Sequence, residues 1–557
     1  MKFESAFFDK EDYKYKARLD DNGTTVLKEI DGHFEYFEPD SRGLYTCITE
    51  PEVKLRKVHG KSKDTEGKYG VTSPIYRYIR DFFWNDESKE KTGMKSDEYN
   101  MHPRIWYLDI ETRALSAPDP VNTPNEVVLI QIYDTILKKM IVLGRKPYNP
   151  EEDYPHGVEV QYVVIEDERL LLKTYCVLVH KLKPLIVFAW NGEGFDFPYL
   201  YNRMRVLGLE PDMAPYGGSK VREKILRDAK GLIVGTNYIL EGNGIHYMDM
   251  MDVYKKFVKT PRASYSLDNI SYEELKERKV EHTEYTDFDS AYTGNSYNVR
   301  TEPYDDRIRE KIRQLRIKYN ETHDENVFKE YQYYVNFMFV YYGIKDVYLL
   351  KRLDDKLQFT NIILGISSMM GVLPSDSLGT VKPWSQYISD VAYYENKTLP
   401  RMQDFPNPDV VGGFVRDPIR GKHRHILNFD VNSMYPQLSI SAFNMSPDTF
   451  VPLAKCPSDL RDVILAYFND QDEARVVGLY ERGEECTKVV RDLLKKYNLA
   501  MGINGALYKR DFLGIIPRLV NAIYDNRKKD KKEMIKYENQ KVLIGEILSK
   551  RGIKVEN

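Results

Sequence analysis

Short apolar runs separated by polar turns fill the first 400 residues, and the period of those runs changes along the chain. Residues 1 to about 102 alternate strand-like runs with turns, the pattern of a separate mixed-strand module; a Lys/Gly-rich stretch, Lys54 to Lys68, gives it a basic flank, and a polar linker lies near Asp86 to Asn100. From 104 to about 350, Val- and Ile-rich runs (Glu126 to Tyr133, Leu185 to Trp190) alternate with helix-period segments such as Glu168 to Lys181, which predicts an α/β domain. Within it Val280 to Val327 is charged, rich in Tyr, Asp and Arg and poor in aliphatics, the composition of a helical excursion on the surface. A polar, Pro-containing segment, Asn396 to Asp409, then leads to an expected strand, His425 to Asp430, and Gly514 to Pro517 opens an expected helix running toward Asn526 to Lys531.

Composition changes this picture little. With 82 Lys plus Arg against 85 Asp plus Glu the net charge is -3, so affinity for nucleic acid has to come from local charge. A chain of 557 residues has room for several domains and large cores. Cysteines at 47, 176, 456 and 486 are few and far apart, which argues for reduced thiols and against zinc. The N-terminus lacks a signal-peptide apolar core and no run of 18 apolar residues occurs, so no membrane contact and no secretion are expected. The 43 tyrosines fit surface and interface packing better than base stacking as their main purpose.

Three acidic islands carry the chemistry. Arg104-Ile-Trp-Tyr-Leu-Asp109-Ile-Glu111-Thr112 puts two carboxylates on one side of an apolar strand, which only a cation makes tolerable. Oxygen ligands suit magnesium or manganese, and two such ions roughly 3.5–4 Å apart are the usual device for hydrolysing a phosphodiester. The second island, Phe188-Ala-Trp-Asn191-Gly-Glu-Gly-Phe195-Asp196-Phe197-Pro198, ends a strand in a Gly-containing turn that brings Asp196 to a sheet end. The third, Phe337 to Tyr348, is helical and sets Tyr342 and Asp346 four apart on one face. Taken singly, each island also fits a plainer reading: a chance acid pair, a helix-capping Asp, an aromatic core helix with one exposed Asp.

In this order the islands resemble the DEDDy class of 3′-5′ exonucleases. The resemblance implies that Asp109, Glu111, Asp196 and Asp346 hold two divalent ions, magnesium or manganese, that Tyr342 orients a water, and that Asn191 and Phe195 meet DNA. Downstream, Ile426-Leu-Asn-Phe-Asp430-Val431-Asn-Ser433-Met434-Tyr435-Pro436 closely resembles motif A of family B DNA polymerases. There the likeness implies Asp430 and Val431 at a magnesium ion, Ser433 and Met434 at the nucleotide, and Tyr435 as a gate against the 2′-hydroxyl. Arg527 and Lys531, four apart on one basic helix face, match the family's triphosphate-binding residues, and Gly412 and Gly413 match a DNA-contacting Gly pair. Val410 departs from the family, which has Tyr there. The wording of Met248 to Phe257 and of Ser264 to Asp268 is most similar to replicative polymerases of T-even-type bacteriophages.

That resemblance implies an α/β multidomain chain: a mixed-strand N-terminal domain over 1–102 with a return segment near 358–400, a ribonuclease H-like 3′-5′ exonuclease over 103–357, the N-terminal part of a palm over 401–512 and the first part of helical fingers over 513–557. The family's second fingers helix and its Asp-x-Asp palm strand have no counterpart in this sequence. The expectation is therefore the first chain of a split polymerase. Such a chain edits single-stranded 3′ ends, binds primer-template DNA, and handles dNTP only with a C-terminal polymerase chain, through which a sliding clamp would also act. As a viral protein it would work in the host cytoplasm. Two rivals stand beside this: a standalone exonuclease from a truncated polymerase, and a regulator whose N-terminal module binds RNA or DNA.

Overall fold

The computed structural model describes residues 1–83, 99–114, 119–151, 157–227, 231–281, 283–300, 302–401, 416–429, 433–468, 483–502 and 505–551. They fall into two compact units, the first formed by the described residues of 1–32, 74–85 and 93–386, the second by those of 33–73 and 387–557. Strands from the first 73 residues enter both. In the first unit β1 (Lys2–Asp9), β2 (Lys14–Asp21) and β3 (Thr24–Ile30) form an antiparallel meander, against which α1 (Pro74–Phe83) packs. Phe3, Phe83 and Tyr99 make an aromatic cluster under it.

In the second unit β4 (Phe34–Pro39), β5 (Tyr45–Cys47), β6 (Lys54–Gly60) and β7 (Tyr69–Thr72) join the two-residue strand Lys397–Thr398 in one sheet around Phe37, Cys47, Leu55 and Tyr69. The basic stretch beginning at Lys54 is thus partly a sheet strand. A smaller sheet of Phe450–Val451, Leu507–Lys509 and Leu499–Met501 packs with two helices, and the helix Ile515–Lys550 starts from Gly514 with Pro517 in its first turn. One expected element is absent: His425–Phe429 forms no strand, and Ile426, Leu427 and Phe429 are 73%, 80% and 88% exposed. Strands persist through ladder hydrogen bonds, and among the described residues none pairs with this run. Among the described residues no helix is long and apolar enough to cross a membrane.

The largest sheet has eight strands: β8 (Ile105–Thr112), β9 (Val127–Asp134), β10 (Lys139–Gly144), β11 (Glu159–Val164), β12 (Ile186–Ala189), β13 (Lys220–Arg227), β14 (Ile233–Gly242) and β15 (Ile245–Asp249), in the order β11-β10-β9-β8-β12-β15-β14-β13. Its centre is parallel, β8 beside β12 and β12 beside β15. Strands buried on both faces read as continuous apolar runs, and every residue of β9 is buried. On one face α2 (Glu168–Leu182), capped by the Asp167 carboxylate on Leu170 N at 2.7 Å, and α3 (Asp196–Val206) close over Trp106, Leu108 and Ile110. α4 (Met250–Phe257) follows β15, and α5 (Leu267–Leu275) follows it in turn. The charged excursion supplies α6 (Phe288–Thr293) and α7 (Arg307–Thr322), and α7 packs along α8 (Glu325–Leu357). α8 crosses the other sheet face, where Tyr107 Oη donates to Asp354 Oδ2 at 2.5 Å.

Arg18 ties the meander to the large sheet. It is buried, pairs with Glu4 Oε2 at 2.6 Å, and donates to the carbonyls of Lys183 (2.6 Å), Pro184 (3.1 Å) and Gly244 (2.5 Å). Removing one partner of such a pair leaves a buried charge uncompensated. Arg18→Ala is expected to lose about 3–5 kcal/mol of stability, measured by urea unfolding, whereas Lys14→Ala at the exposed Lys14–Glu29 pair should leave the unfolding curve almost unchanged.

Candidate active site

Alternation along β8 decides the site. Trp106, Leu108 and Ile110 enter the core beneath α2 and α3, so Tyr107, Asp109 and Glu111 face α8. The β8–β9 ladder shifts register between Glu111 and Thr112, a bulge of the kind that re-aims side chains beside active sites. The second island enters from β12. Asn191 turns the chain with φ 63°, and the buried Asp249 carboxylate at the end of β15 accepts from the backbone N–H groups of Asn191 (3.1 Å), Glu193 (3.3 Å) and Met251 (2.9 Å). A Cβ on Gly192 would lie 2.6 Å from the Phe197 ring, so the turn closes only with glycine there. α3 then starts at Asp196, whose Oδ1 accepts from Ile110 N at 3.2 Å, which lays this carboxylate against the backbone between Asp109 and Glu111.

From α8, Tyr342 and Asp346 reach the same face, both buried. A sixth group joins them that sequence reasoning missed. Lys279 Nζ stands 2.5 Å from Asp346 Oδ2 and 5.0 Å from the centre of the Tyr342 ring. Its backbone N–H donates to Asp268 Oδ1 at 3.0 Å, so the carboxylate of Ser264 to Asp268 fixes where the lysine enters. In the sequence Lys279 is one basic residue in a charged run, and only the fold distinguishes it.

Burial and mutual repulsion set the electrostatics. The Asp109 carboxyl is pushed well above its usual range by burial and then by the charges of Asp196, Glu111 and Asp346. Burial, with Asp346 next, raises Glu111 to about 8. Asp196 rises to about 7 through burial, opposed by the backbone N–H groups that bond it. The Tyr342 phenol is pushed up by burial and by Asp346. Burial pulls the Lys279 ammonium down, but Asp346 and Asp109 more than offset this, so its pKa is raised. Asp109, Glu111, Asp196 and Asp346 form an all-oxygen donor set suited to hard divalent cations, with water and phosphate oxygens needed to complete each shell. Among the described residues no three ligating side chains close a coordination group by themselves, and Lys279 supplies counter-charge to Asp346.

Asn191 is exposed and Phe195 half-buried, its ring 5.2 Å from that of Tyr199. Ser433 is half-buried and Met434 and Tyr435 exposed, at the start of a π-helical segment, Tyr435–Ala442, that packs on the helix Ile515–Lys550. Arg527 and Lys531 are exposed one turn apart on that long helix. Asp430, Val431, Gly412 and Gly413 lie outside the described residues, as does Val410.

Raised carboxyl pKa values have a thermodynamic consequence. Between the ordinary carboxylate range and about 8 the native protein holds more protons at Glu111 and Asp196 than the unfolded chain, so stability falls as pH rises through that window. In chelator, the melting temperature should drop by a few degrees from about pH 5 to about pH 8. Glu111→Gln should flatten that slope, read by calorimetry; an unchanged slope would contradict the assignment.

Residues 84–270 match DNA polymerase family B, exonuclease domain. The chain is 25% identical to the DNA-directed DNA polymerase of Escherichia phage RB69 over 97% of its own length and 55% of the relative's. It is 24% identical to that of Enterobacteria phage T4 (96% and 54%) and 22% identical to DNA polymerase 1 of Pyrococcus abyssi (68% and 38%). The chain thus spans about half the length of the phage relatives it matches. Residues 84–270 are thus similar to the exonuclease domain of DNA polymerase family B, and nearly the whole chain is similar to about half of each phage polymerase.

Proposed function

We propose that this chain removes nucleotides from single-stranded DNA 3′ ends by two-metal phosphodiester hydrolysis and so proofreads for a phage-type DNA polymerase. The observation that carries the reading is the gathering of Asp109, Glu111, Asp196 and Asp346, with Tyr342 and Lys279, at one buried sheet-to-helix seam. Asp109, Glu111 and Asp196 would bracket the ions, and Asp346 would complete the second ion's shell. Magnesium or manganese bound there supplies charge stabilisation for the phosphate and an acidified water.

The chain's own groups do the rest. Tyr342 stays a neutral phenol, because burial and the neighbouring carboxylates oppose its ionisation, so it orients a water through a hydrogen bond rather than acting as a base. Lys279 remains an ammonium and offsets negative charge brought by the substrate. Asn191 and Phe195, on the loop pinned by Asp249, would meet the terminal nucleotide. In this reading the domain is ribonuclease H-like, which the parallel pairing of β12 with β8 and with β15 supports.

DNA synthesis is the second part of the proposal. Ser433, Met434 and Tyr435 with Asp430 and Val431, and the exposed pair Arg527 and Lys531, would contribute to a magnesium-dependent dNTP site beside primer-template DNA, with Gly412 and Gly413 near the template. Synthesis in this reading draws on polypeptide corresponding to the part of the phage relatives that this sequence does not match. A C-terminal polymerase chain would bring it, and with it any sliding clamp.

Asp109→Ala and Asp196→Ala should each abolish magnesium-dependent digestion of a labelled single-stranded oligonucleotide. Tyr342→Phe should slow it roughly 10²-fold with the circular-dichroism spectrum unchanged. Full digestion by Asp109→Ala would sink the proposal. Once a partner restores primer extension, Asp430→Ala should abolish extension and spare digestion.

A further inference from the structure

Gln131 is the one polar residue inside the otherwise apolar run Val127 to Tyr133 of β9, and it stands directly across the ladder from Asp109. Facing residues in an antiparallel ladder share a face with Cβ atoms about 5 Å apart, so the Gln131 side chain lies on the α8 side of the sheet, next to that carboxylate. It is 0% exposed, and among the described residues neither Nε2 nor Oε1 has a hydrogen-bond partner. Burying an amide without partners is unfavourable, and at a position flanked by Ile130 and Ile132 an aliphatic side chain would pack without that cost.

The fold makes room for this amide at a particular place. α8 passes over it at Gly343, where a Cβ would lie only 1.8 Å from Gln131 Nε2. Gly343 follows Tyr342 and precedes Asp346 by three residues, so the amide sits beneath the turn that carries both site residues of the helix. A fully buried polar group on the sheet face that carries the carboxylates, with a glycine above it, is an arrangement that packing alone does not require.

We propose that Gln131 is a positioning residue of the exonuclease centre, whose side-chain amide donates to the Asp109 carboxylate when a divalent cation is held there and so fixes that ligand's orientation. This rests on the exonuclease reading of the site. Hydrogen-bond partners of metal ligands typically change affinity or activity by about 10–100-fold when removed. Gln131→Met keeps the length and removes both polar atoms; Gln131→Leu serves if the first variant does not fold.

The test uses the full chain with Mn²⁺ as the probe. Calorimetric titration should show Mn²⁺ bound about 10-fold more weakly by Gln131→Met than by wild type. The melting temperature in chelator should be equal or higher, because an unpaired buried amide has gone. On single-stranded DNA, kcat should fall about 10-fold with KM unchanged. Equal Mn²⁺ affinity and equal kcat, or a lower melting temperature in chelator with Mn²⁺ affinity unchanged, would overturn the proposal and leave Gln131 a packing residue. A wild type that digests no DNA while the Mn²⁺ difference persists would overturn the exonuclease reading instead and leave the Gln131–Asp109 link standing.

Discussion

Repulsion among buried carboxylates is the constraint on which the rest of the first unit depends. Asp109, Glu111, Asp196 and Asp346 come from a strand, a second strand's exit turn and a long helix, and each would separate from the others in a soft structure. The scaffold holds them by fixing backbone first. β8 is locked between β9 and β12, the turn into α3 is pinned by Asp249, and α8 is anchored by Tyr107 on Asp354 one face away from the hydrophobic core. Charge is then offset by Lys279 at Asp346 and by a backbone N–H group at Asp196. The repulsion is relieved in part by protons that Glu111 and Asp196 keep above the usual carboxylate range.

How much of this the sequence displayed varied with how local each feature is. Asp109 and Glu111 were legible because period-two alternation is a property of the strand itself, and Tyr342 with Asp346 because four residues make one helical turn. Asp196 could be read from a strand-turn-helix pattern with Gly192 at its turn. Lys279 and Asp249 could not. Each acts through a partner in a different element, more than 50 residues away for Asp249 and Asn191, and nothing in a charged run or a strand end marks one residue above its neighbours. Arg18 was hidden for the same reason, since its carbonyl acceptors lie across loops distant in sequence.

The opposite error arose at His425–Phe429. Ile426, Leu427 and Phe429 have the composition of a buried strand, but strand formation depends on a neighbour to share hydrogen bonds, and composition does not supply one. The comparison with β9 is instructive: a run of similar apolarity is wholly buried there because β8 and β10 flank it on both sides. Similarly, the strands of the first 73 residues looked alike in sequence, yet the turn near Gly32 separates those that join the meander from those that join the sheet containing Lys397–Thr398.

Lys279 gives the carboxylate seam a cation that cannot diffuse away. In the proposed exonuclease centre an ion entering beside Asp346 would meet this tethered ammonium, whose effective concentration is set by the chain and not by the solution.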